Sequence, residues 1–191
     1  MMLSRTSITT TRWAAGLLCV LALGACSSSS KGGTTKPNPK KAATLLNQAL
    51  REQVAGKTAQ AQTDFKEVIR LDPNNKFGYY NLGLIAQSAG NKSEAENQYR
   101  LALTIDSKYA PALYNLGILR AQAGATADAI DLYRRAIAAN AKFADAHFNL
   151  GLLLRHTGKI AEGNAEVQAA VKLEPTLAAK AQAQGVPLTG K

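Results

Sequence analysis

Residues that do chemistry are scarce in this chain. Its 191 residues include two cysteines, two histidines and one tryptophan, and 13 acidic residues stand against 23 lysines and arginines. No metal-ligand spacing, glycine-rich phosphate loop or nucleophile-and-base signature is present. His147 and His156 lie nine residues apart, with no thiol or paired carboxylate near them in sequence. Catalysis needs titratable groups that converge, so no enzyme activity and no cofactor is expected; an accessory subunit of an enzyme is the minor alternative. Long hydrophobic runs are missing too. The apolar stretch from Trp13 to Cys26 covers 14 residues, short of the roughly 20 that cross a bilayer's hydrocarbon core. A permanent membrane span is therefore not expected.

That short stretch has another use. The first 25 residues carry Arg5 and Arg12 and no acid, followed by "WAAGLLCVLAL" from Trp13 to Leu23. A basic start, an apolar middle and a small-residue end are the three regions of a secretory signal peptide. Leu23, Gly24, Ala25 and Cys26 resemble the lipobox of bacterial lipoproteins, which implies cleavage before Cys26 and a thioether-linked diacylglycerol on its sulfur. The plainer alternative is an ordinary cleavage site beside an incidental cysteine. Cys19 lies inside the segment to be removed, so the mature chain is left with no free thiol. The expected location is a bacterial membrane, inner or outer, with the folded part outside the cytoplasm.

Residues 26–41 then read as the lipidated cysteine and a flexible linker. "SSSSKGGTTKPNPKK", Ser27 to Lys41, has no apolar side chain except two prolines and cannot build a core. Fifteen such residues have a root-mean-square reach of about 20 Å. The linker also explains the charge. After cleavage 21 basic residues face 13 acidic ones, yet within 42–177 the count is 15 against 13. A nucleic-acid binder concentrates basic residues on one face of the folded part, with aromatics interleaved, so nucleic acid is not an expected partner. Lys31, Lys36, Lys40 and Lys41 suit either anionic lipid headgroups or simple solubilisation.

Three phrases repeat at a spacing of 34 residues: "YYNLGLIAQSAG" from Tyr79, "LYNLGILRAQAG" from Leu113 and "HFNLGLLLRHTG" from His147. Aligning from Ala42 gives four units, 42–75, 76–109, 110–143 and 144–177. Gly56, Gly90, Gly124 and Gly158 share one position, Asn47, Asn81, Asn115 and Asn149 another, and Phe65, Tyr99, Tyr133 and Val167 a third. Within each unit the apolar residues of the first half recur at helical spacing, and the shared glycine stands where a helix ends in a left-handed residue. Gly83, Gly117 and Gly151 lack a side chain where one helix must approach its partner. Such short helices are marginal alone, so stacking on neighbours stabilises them.

The period, the "NLG" and the small-aromatic-small pattern resemble the tetratricopeptide repeat (TPR) family. The resemblance implies an all-α fold: a right-handed superhelical stack of about four helix-turn-helix repeats. Gln48, where the other units have Leu82, Leu116 and Leu150, marks the first unit as a cap. Residues 178–191 hold a closing helix and tail, with "PTLAAKAQAQG" from Pro175 as its sequence signal. Ser107 and Ala141 replace a frequent proline, which predicts looser turns there. Arg120 stands at a core-side position that the family fills with a large apolar residue, and His147 stands where Tyr79 and Leu113 pack between helices.

In the family, the second, fifth, ninth and twelfth positions of each first helix form one stripe lining a concave groove. Here the fifth reads Leu46, Tyr80, Tyr114 and Phe148, and the ninth Leu50, Leu84, Ile118 and Leu152. The resemblance implies a protein or peptide partner with apolar anchors docked there. The lysines of the family's clamp for C-terminal carboxylates are absent from the stripe, which argues against that ligand. Asn47, Asn81, Asn115 and Asn149 resemble the asparagine ladder by which some members hold a peptide backbone, since an amide offers both a donor and an acceptor. The competing reading is that these asparagines serve the fold. The whole reads as a membrane-tethered scaffold; a self-assembling homo-oligomer or an envelope or pilus-assembly lipoprotein is the alternative.

Overall fold

The computed structural model describes residues 36–188, and the signal peptide and Cys26 lie outside the described residues. Eight α-helices form four antiparallel pairs: α1 (Pro39–Val54) with α2 (Thr58–Leu71), α3 (Lys76–Ser88) with α4 (Lys92–Ile105), α5 (Ala110–Gln122) with α6 (Thr126–Ala139), and α7 (Ala144–His156) with α8 (Ile160–Leu173). A short 3-10 turn at Pro175–Leu177 and α9 (Ala178–Ala183) follow.

The glycine after each first helix has positive φ, from 75° at Gly56 to 84° at Gly158. That conformation favours glycine because a side chain there meets the backbone. The turn lets the chain reverse at once, and the pair closes around a second glycine. A Cβ on Gly83 would stand 2.5 Å from Tyr99, and one on Gly117 would stand 2.7 Å from Tyr133. The rings of Tyr99 and Tyr133 lie across the first helix of their own unit and are buried. In the fourth unit the approach is backbone to backbone, Gly151 against Gly163, with Val167 in place of the ring. Pairs stack through leucine and alanine: Leu82 and Ile85 of α3 pack on Phe65 of α2, and Leu150 and Leu154 of α7 pack on Tyr133 of α6.

The linker ends earlier than its composition suggests. Asn38 caps α1 by accepting the Lys41 N–H at 3.0 Å, and Pro39 takes the first helical position. Proline is pre-organised for that position and its missing N–H costs nothing there. Residues 39–41, assigned above to the flexible linker, are therefore helical. The Asn38 backbone N–H also donates to the Leu71 carbonyl at 2.8 Å, fastening the start of α1 to the end of α2.

The turns without proline keep the same form as the others. Tyr109 N–H donates to the Asp106 carbonyl at 3.0 Å, and Phe143 N–H to the Asn140 carbonyl at 3.0 Å, as Asn75 does to Asp72. Oδ1 of Asp106 accepts from the Lys108 N–H and Oδ1 of Asn140 from the Lys142 N–H, at 3.0 and 3.1 Å. The turn that does contain proline has the same bond, with Asp72 Oδ1 accepting from the Asn74 N–H at 3.3 Å, so the side-chain acceptor is common to these turns with or without proline. Arg120 is not a core residue: its guanidinium turns to Glu96 of α4, which also holds Arg100 at 2.9 Å. His147 is fixed through both ring nitrogens, to Glu166 at 2.7 Å and to the Ala141 carbonyl at 3.1 Å.

Both ends of the stack are finished. Gln48 Nε2 donates to Asp64 at 3.0 Å and to Glu52 at 3.2 Å, so a polar network occupies the outer side of the first unit. At the other end Leu177, Ala181 and Val186 are buried against Phe148, Val167 and Ala170. Gly185, with φ of 64°, stops the closing helix.

Candidate functional site

The first helices bring their ninth positions into one row. Leu50 is 37% exposed, and Leu84, Ile118 and Leu152 are half-buried. Between α5 and α7 the row opens into a cleft of about 350 Å³, lined by Ile118, Ala121, Gln122, Asn149, Leu152 and His156 among others, with no acidic side chain in its lining. Half-open leucine and isoleucine in a cleft still present apolar area to water, and a ligand that covers it gains roughly 25 cal/mol per Å². Phe77, at the second position of its unit, adds an aromatic face and is 43% exposed. It stands edge-on to Tyr109 at 5.7 Å, and Lys76 lies over both rings while bonded to Asp106 at 2.6 Å. The stripe pattern contains position 77, but the Lys76–Tyr109 support comes from the next turn and has no local signature.

The fifth-position aromatics serve a different purpose from the ninth-position row. Tyr80 packs on Tyr99 and Tyr109, and Tyr114 on Tyr133 and Phe143, with ring centroids 4.8–5.9 Å apart. Burial pushes all of these phenols upward, Tyr109 and Tyr133 to about 12, so they stay neutral hydrogen-bonding groups. The Tyr80 hydroxyl accepts from Asn115 at 3.2 Å, and the Tyr114 hydroxyl from Asn149 at 3.0 Å. Each asparagine thereby joins its own unit to the one before. Asn115 uses its second amide hydrogen on the Pro111 carbonyl at 2.9 Å. Asn81, whose preceding unit has Leu46 rather than a tyrosine at the fifth position, is 7% exposed and donates to the Phe77 carbonyl at 2.8 Å. Asn47 is exposed on the first unit.

Two expectations are corrected by this arrangement. The amide hydrogens of Asn115 are directed into the fold, so this asparagine knits repeats rather than offering donors to a ligand. Phe148 does not line the groove: it is 8% exposed and packs with Leu177, Ala181 and Val186 of the C-terminal closure. The twelfth-position Arg155 is likewise turned away, donating to the carbonyls of Gln184 and Gly185 at 3.1 and 3.2 Å.

Such a stack of helix pairs with an apolar row on one side defines a helical-repeat scaffold. The family model described as tetratricopeptide repeat matches residues 46–110 and 114–178, and the chain belongs to that family. No curated protein matches the chain. Among solved structures, a MamA protein superposes with a TM-score of 0.60 at 26% identity, over 74% of this chain and 77% of that one. PilF of Pseudomonas aeruginosa gives a TM-score of 0.63 at 21% identity, over 71% and 62%. YrrB, described as a TPR protein with an unusual peptide-binding site, gives 0.60 at 21% identity, over 69% and 68%.

Proposed function

We propose that this chain is a membrane-tethered interaction module of a bacterial envelope, exported through residues 1–25, lipidated on Cys26, and holding a protein partner by an apolar segment docked along Leu50, Leu84, Ile118 and Leu152. The observation that carries the reading is the ninth-position row itself. Four successive units leave a large apolar side chain at least half-open at the same place, while beside it Tyr80 and Tyr114 are held by neighbouring rings and by Asn115 and Asn149. An apolar strip rimmed by polar residues is a protein-docking feature. YrrB supports it by analogy of architecture, being described as peptide-binding on the same fold. The finished ends of the stack favour a foreign ligand over end-to-end assembly of copies, since stacking would need an open apolar end.

Tyr114 is a poor probe of this groove because it holds Asn149, Tyr133 and Phe143 in place. The test is the double substitution Leu84→Ser with Ile118→Ser. Removing two anchors, each contributing about 1 kcal/mol or more to a covering ligand, is expected to weaken capture of the native partner at least severalfold while membrane attachment persists. A folded double variant that captures as much partner as wild type would place the binding site elsewhere.

A further inference from the structure

We propose that the N-terminal end of the stack carries a docking surface for an anionic lipid bilayer, formed by Lys36, Lys40 and Lys41. All three are exposed, and among the described residues none is engaged in an ion pair. Glu67 lies close enough to feel the charge of Lys41. It is already held by Arg70, whose hydrogen bonds draw the Glu67 carboxyl below its usual range, with Lys41 adding a weaker pull.

The placement of these lysines works against the helix that carries them. Lys40 and Lys41 occupy the first turn of α1, which has no acidic residue, and cations there oppose the helix macrodipole. Helix stability therefore does not account for them. Nor do they sit on a floppy arm. Asn38, between Lys36 and Lys40, is fastened through its backbone to Leu71 and through its side chain to Lys41. The cluster is thus presented as a rigid basic corner of the folded body. In sequence it continues upstream to Lys31, with no acid between Ser27 and Lys41.

Anionic headgroups are the fitting partner because the corner is basic, polar and exposed. Each lysine near a charged bilayer strengthens binding about fivefold. The proposal uses the reading of a lipid anchor only to explain why a bilayer is close. Its test removes that anchor, so failure of one is distinguishable from failure of the other.

The experiment uses the chain from residue 26 onward carrying Cys26→Ser, mixed with vesicles of neutral lipid alone or with roughly one third phosphatidylglycerol. Sedimentation at about 0.05 M salt is expected to show binding to the anionic vesicles only, lost at about 0.5 M where charges are screened within a few ångströms. Lys36→Gln, Lys40→Gln and Lys41→Gln together should lower the partition coefficient roughly hundredfold. Removing cations from the first turn should leave the melting temperature equal or higher, which separates lost docking from lost folding. Absence of binding at low salt, equal binding to neutral vesicles, or a triple variant that binds like its parent would each overturn the proposal.

Discussion

Gly151→Ala is expected to lower the melting temperature by about 6–12 °C, the equivalent of about 3 kcal/mol in a domain of this size. The added Cβ would stand 2.6 Å from the Gly163 carbonyl oxygen and 2.9 Å from the Val167 nitrogen. Both are backbone atoms, so no rotamer change relieves the contact, and α7 must move away from α8. Gly124→Ala is the matched comparison. Its Cβ meets nothing within 4 Å, and only the φ of 76° opposes it, a cost of about 1 kcal/mol or slightly more. That corresponds to a fall of roughly 2–4 °C. Thermal melts followed by circular dichroism distinguish the two. Equal effects at both glycines would contradict the close approach of the paired helices.

The largest expected effect on location comes from Cys26→Ser. Without the thiol no thioether can form, and the 14-residue apolar stretch ahead of it is shorter than the roughly 20 residues of a stable span. The variant is expected to appear as an uncleaved or soluble exported protein, leaving the membrane pellet after an alkaline wash. Recovery of the variant in that pellet, at the size and amount of wild type, would contradict lipidation at this residue.

Much of the fold was legible because the repeat writes each contact more than once. Gly117 and Tyr133 stand in columns with Gly83 and Tyr99, and a small residue recurring opposite an aromatic by itself implies two close helices. The start of α1 was harder to read, since the composition around Pro39 resembles a linker and the cap at Asn38 is a single residue's geometry. Long-range partners were harder still. Tyr80 and Asn115 are 35 residues apart, and their columns are visible in the alignment while the bond between them is not. The sequence also carries a mark of the C-terminal closure. The final unit has Phe148 rather than tyrosine at the fifth position. No following unit offers an asparagine to its ring, and the hydroxyl is dispensable because the C-terminal closure covers that place. The ninth-position row was legible as a stripe. Its separation from the fifth position, where Tyr80 and Tyr114 are held by rings of neighbouring helices, depends on packing that periodicity alone does not resolve.

Photocrosslinking in living cells tests the central claim most directly. A photoreactive side chain placed at Ile118 or Leu152, on the apolar row, is compared with one at Asp131, on the exposed face of α6. The account predicts a discrete adduct of one protein from positions 118 and 152, absent from position 131, and lost when Leu84→Ser is added. Adducts of the same protein from position 131 alone, or from all three positions alike, would contradict it.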